Sequence, residues 1–320
     1  MKVLVTGSTG FIGTSLIERL LKDQFSVSVS IRNSHIKEFN PDVNLITMGD
    51  MTSSLDWGHA LQGVDVIIHL AARAHILNDK SRDPLAEYRY INVDCSLNLA
   101  HQAARAGVKR FIYVSSIKVN GEFTILGKPF TAQDDPMPRD FYGISKYEAE
   151  LGLQEIAEEQ RMELVIIRPP LVYGPRVKAN FLSMMSWLWR GIPLPLGGVR
   201  KNRRSFIFID NLVSMILTCI NHPAAANQIF LVSDDEDLST AGLLDRMALA
   251  LGRPSRLIVM PAALITFGAK MLGRDDIAQR LCGSLQVDIK KTKDLLGWSP
   301  PVSLDEGLRQ TAGHFLKMES

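Results

Sequence analysis

The 320-residue chain has only three cysteines, Cys95, Cys219 and Cys282. They are far apart and odd in number, so they form neither a disulfide framework nor metal-ligand spacing, and no metal is expected. Such usage fits a reducing, cytoplasmic compartment. An excess of one charge is also missing: 36 Lys and Arg against 34 Asp and Glu leave a net +2. A nucleic-acid partner needs a strong basic excess, so none is expected. No run of about 18 apolar residues occurs, which argues against membrane insertion. The start does not read as a signal peptide, since only Val3, Leu4 and Val5 separate Lys2 from Thr6-Gly7. The longest apolar stretch, Leu257 to Phe267, contains Pro261 and is expected to be a buried helix rather than a membrane-surface one. What remains is an ordinary globular composition, 46% hydrophobic and 22% charged.

The first two-thirds alternate strand and helix patterns. Strands are expected at Lys2–Thr6, Ser26–Ile31, Asn44–Met48, Val64–Leu70, Phe111–Ser115 and Leu164–Arg168. Helices are expected at Phe11–Lys22, Leu55–Leu61, Pro84–Ala106 and Tyr142–Glu159. Several strands are almost wholly apolar, as when both sheet faces are covered. The order predicts an α/β, doubly wound (Rossmann) parallel sheet with a smaller, mostly helical C-terminal substrate domain. Residues 1–174 would form the sheet domain, and residues 175–320 would form the smaller domain that binds substrate. The segment 205–232, with apolar runs Phe206–Ile209 and Ile229–Val232, would pair locally or return to the main sheet.

Gly7-Ser8-Thr9-Gly10-Phe11-Ile12-Gly13 follows the first strand and opens a helix. Gly7 permits the tight turn, Gly10 lets backbone approach a pyrophosphate, and Gly13 lets helix and strand pack closely. The free N–H groups of the helix start then face the phosphates. The acidic residue expected after the second strand is absent: the chain reads Ile31-Arg32-Asn33. Arg32 can pair with a 2′-phosphate, which favours NADP(H) over NAD, or it is an ordinary surface arginine. Asp50 can accept a hydrogen bond from adenine, or cap a helix starting near Thr52.

Tyr142 and Lys146 are four residues apart, so both project from one helix face. They follow Ser115-Ser116 at a strand end, where open α/β sheets bind ligands. An ammonium beside a phenol, together with a cationic nicotinamide ring, would lower the phenol's usual pKa of about 10. Tyr142 would then exchange a proton with a substrate hydroxyl while hydride moves at the same carbon. Ser116 would hold the reacting oxygen, and Lys146 the cofactor ribose.

These motifs, with His69-Leu70-Ala71-Ala72, Arg168-Pro169-Pro170-Leu171-Val172-Tyr173-Gly174-Pro175, Arg204 to Asp210 and Leu296-Gly297-Trp298-Ser299-Pro300, resemble the extended short-chain dehydrogenase/reductase family. The resemblance covers almost the whole chain. It is nearest the NAD-dependent epimerase/dehydratase branch, around UDP-glucose 4-epimerases. Ser115-Ser116-Ile117-Lys118-Val119-Asn120-Gly121-Glu122 is similar to a bacterial surface-polysaccharide subgroup that includes 4-keto reductases forming UDP-N-acetylquinovosamine. The resemblance implies cofactor contacts at Thr9, Phe11, Ile12, Met51, Leu70, Ala71, Ala72 and Pro169, and a homodimer. Dehydratases of the family carry an acidic pair where this chain has Ile117 and Lys118, which argues against 4,6-dehydration.

A nucleotide sugar carries two phosphates, so cations must line its site. By resemblance, Arg204 reaches the diphosphate and Asn180 lies near the sugar–phosphate linkage. Arg280 is a further phosphate candidate, with a surface arginine as its alternative. Arg73 and His75 follow the fourth strand and can face the sugar, although a lone histidine at such a place is more often a packing or solvent-facing residue. The sequence favours an NAD(P)H-dependent reductase acting at C4 of a UDP-sugar, with a UDP-hexose 4-epimerase as the alternative. A non-catalytic cofactor-binding protein of this fold is the more distant reading.

Overall fold

Strand β1 (Lys2–Thr6) lies in the interior of a parallel sheet, and its side chains feed two different layers. Val3 and Val5 enter one apolar cluster and Leu4 the opposite one. The same alternation holds in β4 (Val66–His69) and β5 (Arg110–Val114). It follows from the two-residue period of a strand, and a sheet covered on both faces therefore needs unbroken apolar runs. Fully burying one such side chain stabilises by roughly 1.5–3 kcal/mol.

The computed structural model describes residues 1–33, 39–74, 81–271 and 273–319. His75 lies outside them. The main sheet has seven strands in the order β3-β2-β1-β4-β5-β6-β9, all parallel. Here β2 is Ser26–Ile31, β3 Asn44–Thr47, β6 Glu163–Arg168 and β9 Gln228–Leu231. Helices α1 (Phe11–Lys22) and α7 (Ile209–Asn221) cover one face. On the other face lie α2 (Gly58–Leu61), α4 (Cys95–Arg105) and α5 (Phe141–Gln160). The expected Pro84–Ala106 helix is interrupted: α3 (Pro84–Arg89) passes through a wider π-helical turn, Tyr90–Asp94, into α4.

The 205–232 segment divides. Strand β9 joins the main sheet beside β6. Strand β8 (Arg204–Phe208) instead pairs with β7 (Leu171–Tyr173) and β10 (Asp237–Leu238) in a small separate sheet. Around that sheet a third core is built from α6 (Ala179–Trp189), α8 (Thr240–Ala250) and α12 (Leu304–Glu319). The remaining helices are α9 (Ala262–Met271), α10 (Asp275–Cys282) and α11 (Lys290–Leu296).

The expectation of a buried helix over Leu257–Phe267 fails. The helix starts only after Pro261, and none of its residues is buried. Hydropathy reports a tendency to leave water, but burial also needs an element opposite: beyond the third core α9 has the short α10 at its flank, and its outer residues stay exposed. No helix in that set is long and apolar enough to cross a membrane.

Candidate active site

Three backbone segments converge where β1 ends. Gly7 has a left-handed φ of 69°, and a Cβ there would lie 2.6 Å from the Ala71 nitrogen. A Cβ on Gly13 would lie 2.4 Å from the Gly7 oxygen. Glycine at both places lets the end of β4 and the start of α1 press onto the turn. Thr9 and Gly10 remain exposed, while Phe11 and Ile12 pack against the third core. The first turn of α1 has no acidic residue and no side-chain cap, so its positive end is not neutralised from within. A cradle of this shape and charge fits a dinucleotide pyrophosphate. Leu70, Ala71 and Ala72, all half-buried, line the adjoining end of β4. The Ala71 N–H is 3.4 Å from the Thr6 hydroxyl.

At the neighbouring strand ends Arg32 and Asp50 meet. The guanidinium Nε is 3.7 Å from the carboxylate, and both side chains are exposed. Asp50 does not cap a helix, because α2 begins only at Gly58. Met51 packs against the second core. A carboxylate is thus present beside Arg32, supplied by the loop after β3 rather than by the end of β2.

The candidate proton-transfer residues come together where β5 meets α5. Ser116 starts a short 3-10 turn, Ile117–Val119, and its hydroxyl is hydrogen-bonded to that of Tyr142. Asp140 caps α5 by accepting from the Gly143 N–H at 2.7 Å. Its other oxygen pairs with Lys118. Tyr88 stands edge-on to Tyr142, with ring centroids 6.3 Å apart. Asn92, fully buried in the π-helical turn, joins two elements: its amide donates to Ser145 of α5 and holds the Arg73 backbone at both N–H and C=O. Pro169, buried at the end of β6, accepts from the Ile117 N–H and fixes the serine turn.

The electrostatics differ from the expectation. Lys146 does not lower the Tyr142 pKa in the free chain. Burial, the Asp140 carboxylate and Tyr88 raise it, and the hydrogen bond from Ser116 opposes them only in part. The Lys146 ammonium instead donates to the Val114 carbonyl at 2.8 Å and lies 3.8 Å above the Tyr113 ring. Burial brings its pKa down to about 7, against the pull of Glu150. Glu150 itself is sealed in an ion pair with Arg168, which also donates to Asn120. Before cofactor binding the phenol therefore keeps its proton, and the amine is poised near neutrality.

The substrate-side candidates meet in part. Arg204 is half-buried, donates to the Gly283 carbonyl at 3.3 Å, and has its pKa lowered by burial and by the like charge of Arg280. The two arginines, 76 residues apart in sequence, thus act on one region. Asn180 is exposed in the first turn of α6.

Sequence reasoning missed Asp140, Lys118, Asn92 and Tyr88. The spacing Asp140 to Gly143 before a helical pattern is a cap signal that finds Asp140. Nothing local marks Asn92, whose partner is 53 residues away.

A parallel sheet, a glycine turn at its first crossover and the neighbouring Ser116, Tyr142 and Lys146 fit an enzyme that uses a nicotinamide dinucleotide. The profile of the NAD dependent epimerase/dehydratase family matches residues 3–233, and the chain is an NAD-dependent enzyme belonging to that family. It is 49% identical to a UDP-glucose 4-epimerase of Vibrio cholerae over 98% of this chain and 95% of that one. It is 28% identical to the N-acetyl-alpha-D-glucosaminyl-diphospho-ditrans,octacis-undecaprenol 4-epimerase of Escherichia coli O157:H7, over 97% and 93%. In fold it superposes on the crystal structure of a Thermotoga maritima UDP-glucose 4-epimerase with TM-score 0.80, at 24% identity and full coverage of both chains.

Proposed function

We propose that the enzyme is a UDP-sugar 4-epimerase acting on a UDP-hexose. The observation that carries this reading is the 49% identity to the Vibrio cholerae UDP-glucose 4-epimerase across nearly both chains. It outweighs the 4-keto reductase favoured by the sequence, which rested on Arg32 and on the stretch after Ser115. Arg32 faces Asp50 at 3.7 Å, which also weakens the case for an arginine reserved for a 2′-phosphate.

In this reading the bound nicotinamide supplies reversible hydride acceptance at the sugar C4. Tyr142 takes the proton of the C4 hydroxyl and returns it to the oxygen once hydride has been restored to the other face. Ser116, hydrogen-bonded to the phenol, holds the reacting oxygen. Lys146 contributes positive charge beside the cofactor ribose. Arg204 and Arg280 hold the diphosphate, and Asn180 lies towards the linkage.

The test uses purified enzyme with UDP-glucose and no added cofactor, followed by NMR. UDP-galactose is the expected product. Stoichiometric NADPH oxidation with UDP-4-keto-6-deoxy-N-acetylglucosamine, and no hexose interconversion, would establish the reductase instead.

A further inference from the structure

Helix α9 is apolar on both sides, and only one side has a place to go. Ala262 and Ile265 pack onto the third core. Leu264, Phe267 and Met271 form a stripe on the opposite side and are 59%, 64% and 73% exposed. The approach to the helix continues this surface, with Ile258 54% and Val259 76% exposed. A contiguous patch of this kind on a water-soluble surface marks an interaction site rather than scatter.

The rim of the patch is basic. From Arg253 to Arg280 the chain carries five basic residues, Arg253, Arg256, Lys270, Arg274 and Arg280, against two acidic ones, Asp275 and Asp276. The nearest upstream acid, Asp245, is already paired with Arg200 and Ser255. At the start of the patch Arg253 stacks 3.9 Å over the Trp189 ring, and Arg256 reaches the Gly191 carbonyl. Leu194 pairs with the Arg256–Ile258 backbone, which brings the half-exposed Ile192 to the same edge.

We propose that α9 and the segment before it dock on an anionic lipid bilayer, with the Leu264–Phe267–Met271 stripe entering the headgroup boundary and Lys270 and Arg274 meeting lipid phosphates. Apolar stripe, aromatic ring and flanking cations are the parts from which an interfacial helix gains affinity. Charge decides against a second copy of the chain as occupant, since two basic rims brought face to face repel. Helix α10 packs on α9 and carries Arg280, so docking sets the diphosphate end of the site close to the membrane surface. The inference does not depend on which sugar is turned over.

The experiment is co-sedimentation of the full chain with vesicles of phosphatidylcholine, with and without about 30% phosphatidylglycerol. Binding to the anionic vesicles is expected, with at least about tenfold weaker binding to phosphatidylcholine alone and in high salt. The L264S/F267S and K270E/R274E variants should each lose about tenfold or more while keeping wild-type UDP-glucose turnover, which also shows that they are folded. Equal binding by wild type and both variants, or no binding to either vesicle, overturns the proposal. A dimer in light scattering that L264S/F267S abolishes without vesicles overturns it in favour of a second copy. Loss of turnover in every protein, wild type included, would instead count against the epimerase reading and leave the vesicle result to stand on its own.

Discussion

Asp140 holds two partners at once: one carboxylate oxygen caps the helix that carries Tyr142, and the other pairs with Lys118. Its charge also raises the Tyr142 pKa. Asp140→Asn keeps an oxygen for the Gly143 N–H and removes the charge. The rising limb of the kcat/KM pH profile should therefore move to lower pH, because the phenol ionises more easily. Asp140→Ala also loses the cap and should cost about 1 kcal/mol of stability by urea titration. An unmoved limb in Asp140→Asn would mean that Tyr142 does not govern the profile.

Tyr142→Phe removes the hydroxyl and little else. Loss of a positioned proton donor and acceptor should lower kcat by roughly a hundredfold to ten-thousandfold. The melting temperature should stay close to wild type, since the ring and its contact with Tyr88 remain. Near-normal turnover would reassign the proton transfer to another group.

His69 should make the fold acid-sensitive. It is fully buried, with Nδ1 2.6 Å from the Thr6 hydroxyl and Nε2 2.9 Å from that of Ser96. Burial, helped by the charge of Lys146, brings its pKa from 6.5 down to about 3. Between those values the unfolded chain binds a proton that the folded chain refuses. The stability this residue confers is complete above pH 6.5 and is lost as pH falls towards 3, at up to about 1.4 kcal/mol per pH unit. Urea titrations of wild type and His69→Gln from pH 7 to pH 4 check this, and the variant should show the shallower decline.

Gly7→Ala combines two penalties. The residue would have to hold φ at 69°, and its methyl would meet the Ala71 nitrogen at 2.6 Å. Backbone cannot step aside cheaply, so the turn must open. The expected result is a loss of about 1–3 kcal/mol in stability together with weakened NAD binding by calorimetry. Unchanged NAD affinity would place the dinucleotide elsewhere.

The main sheet was legible because its strands are buried on both faces, and unbroken runs such as Val3-Leu4-Val5 announce that without help from distant residues. Tyr142 and Lys146 were legible because one helix face fixes their spacing. The electrostatics were not: whether Lys146 faces the phenol or the Val114 carbonyl depends on how α5 seats on β5. Nor was the meeting of Arg32 with Asp50, which adjacent strands β2 and β3 create. Helix α9 shows the limit most clearly, since the same apolar letters describe a helix under a domain and one on its outside.

The seventh strand has a practical corollary for anyone cutting the gene. Ending expression at residue 174 would strip β9 from β6 and leave Val165 to Arg168 with a naked ladder of amides and carbonyls. Such an open margin recruits foreign strands, so the shortened product should aggregate. A fragment that runs on past Val232 retains its own seam and is the smaller piece worth making.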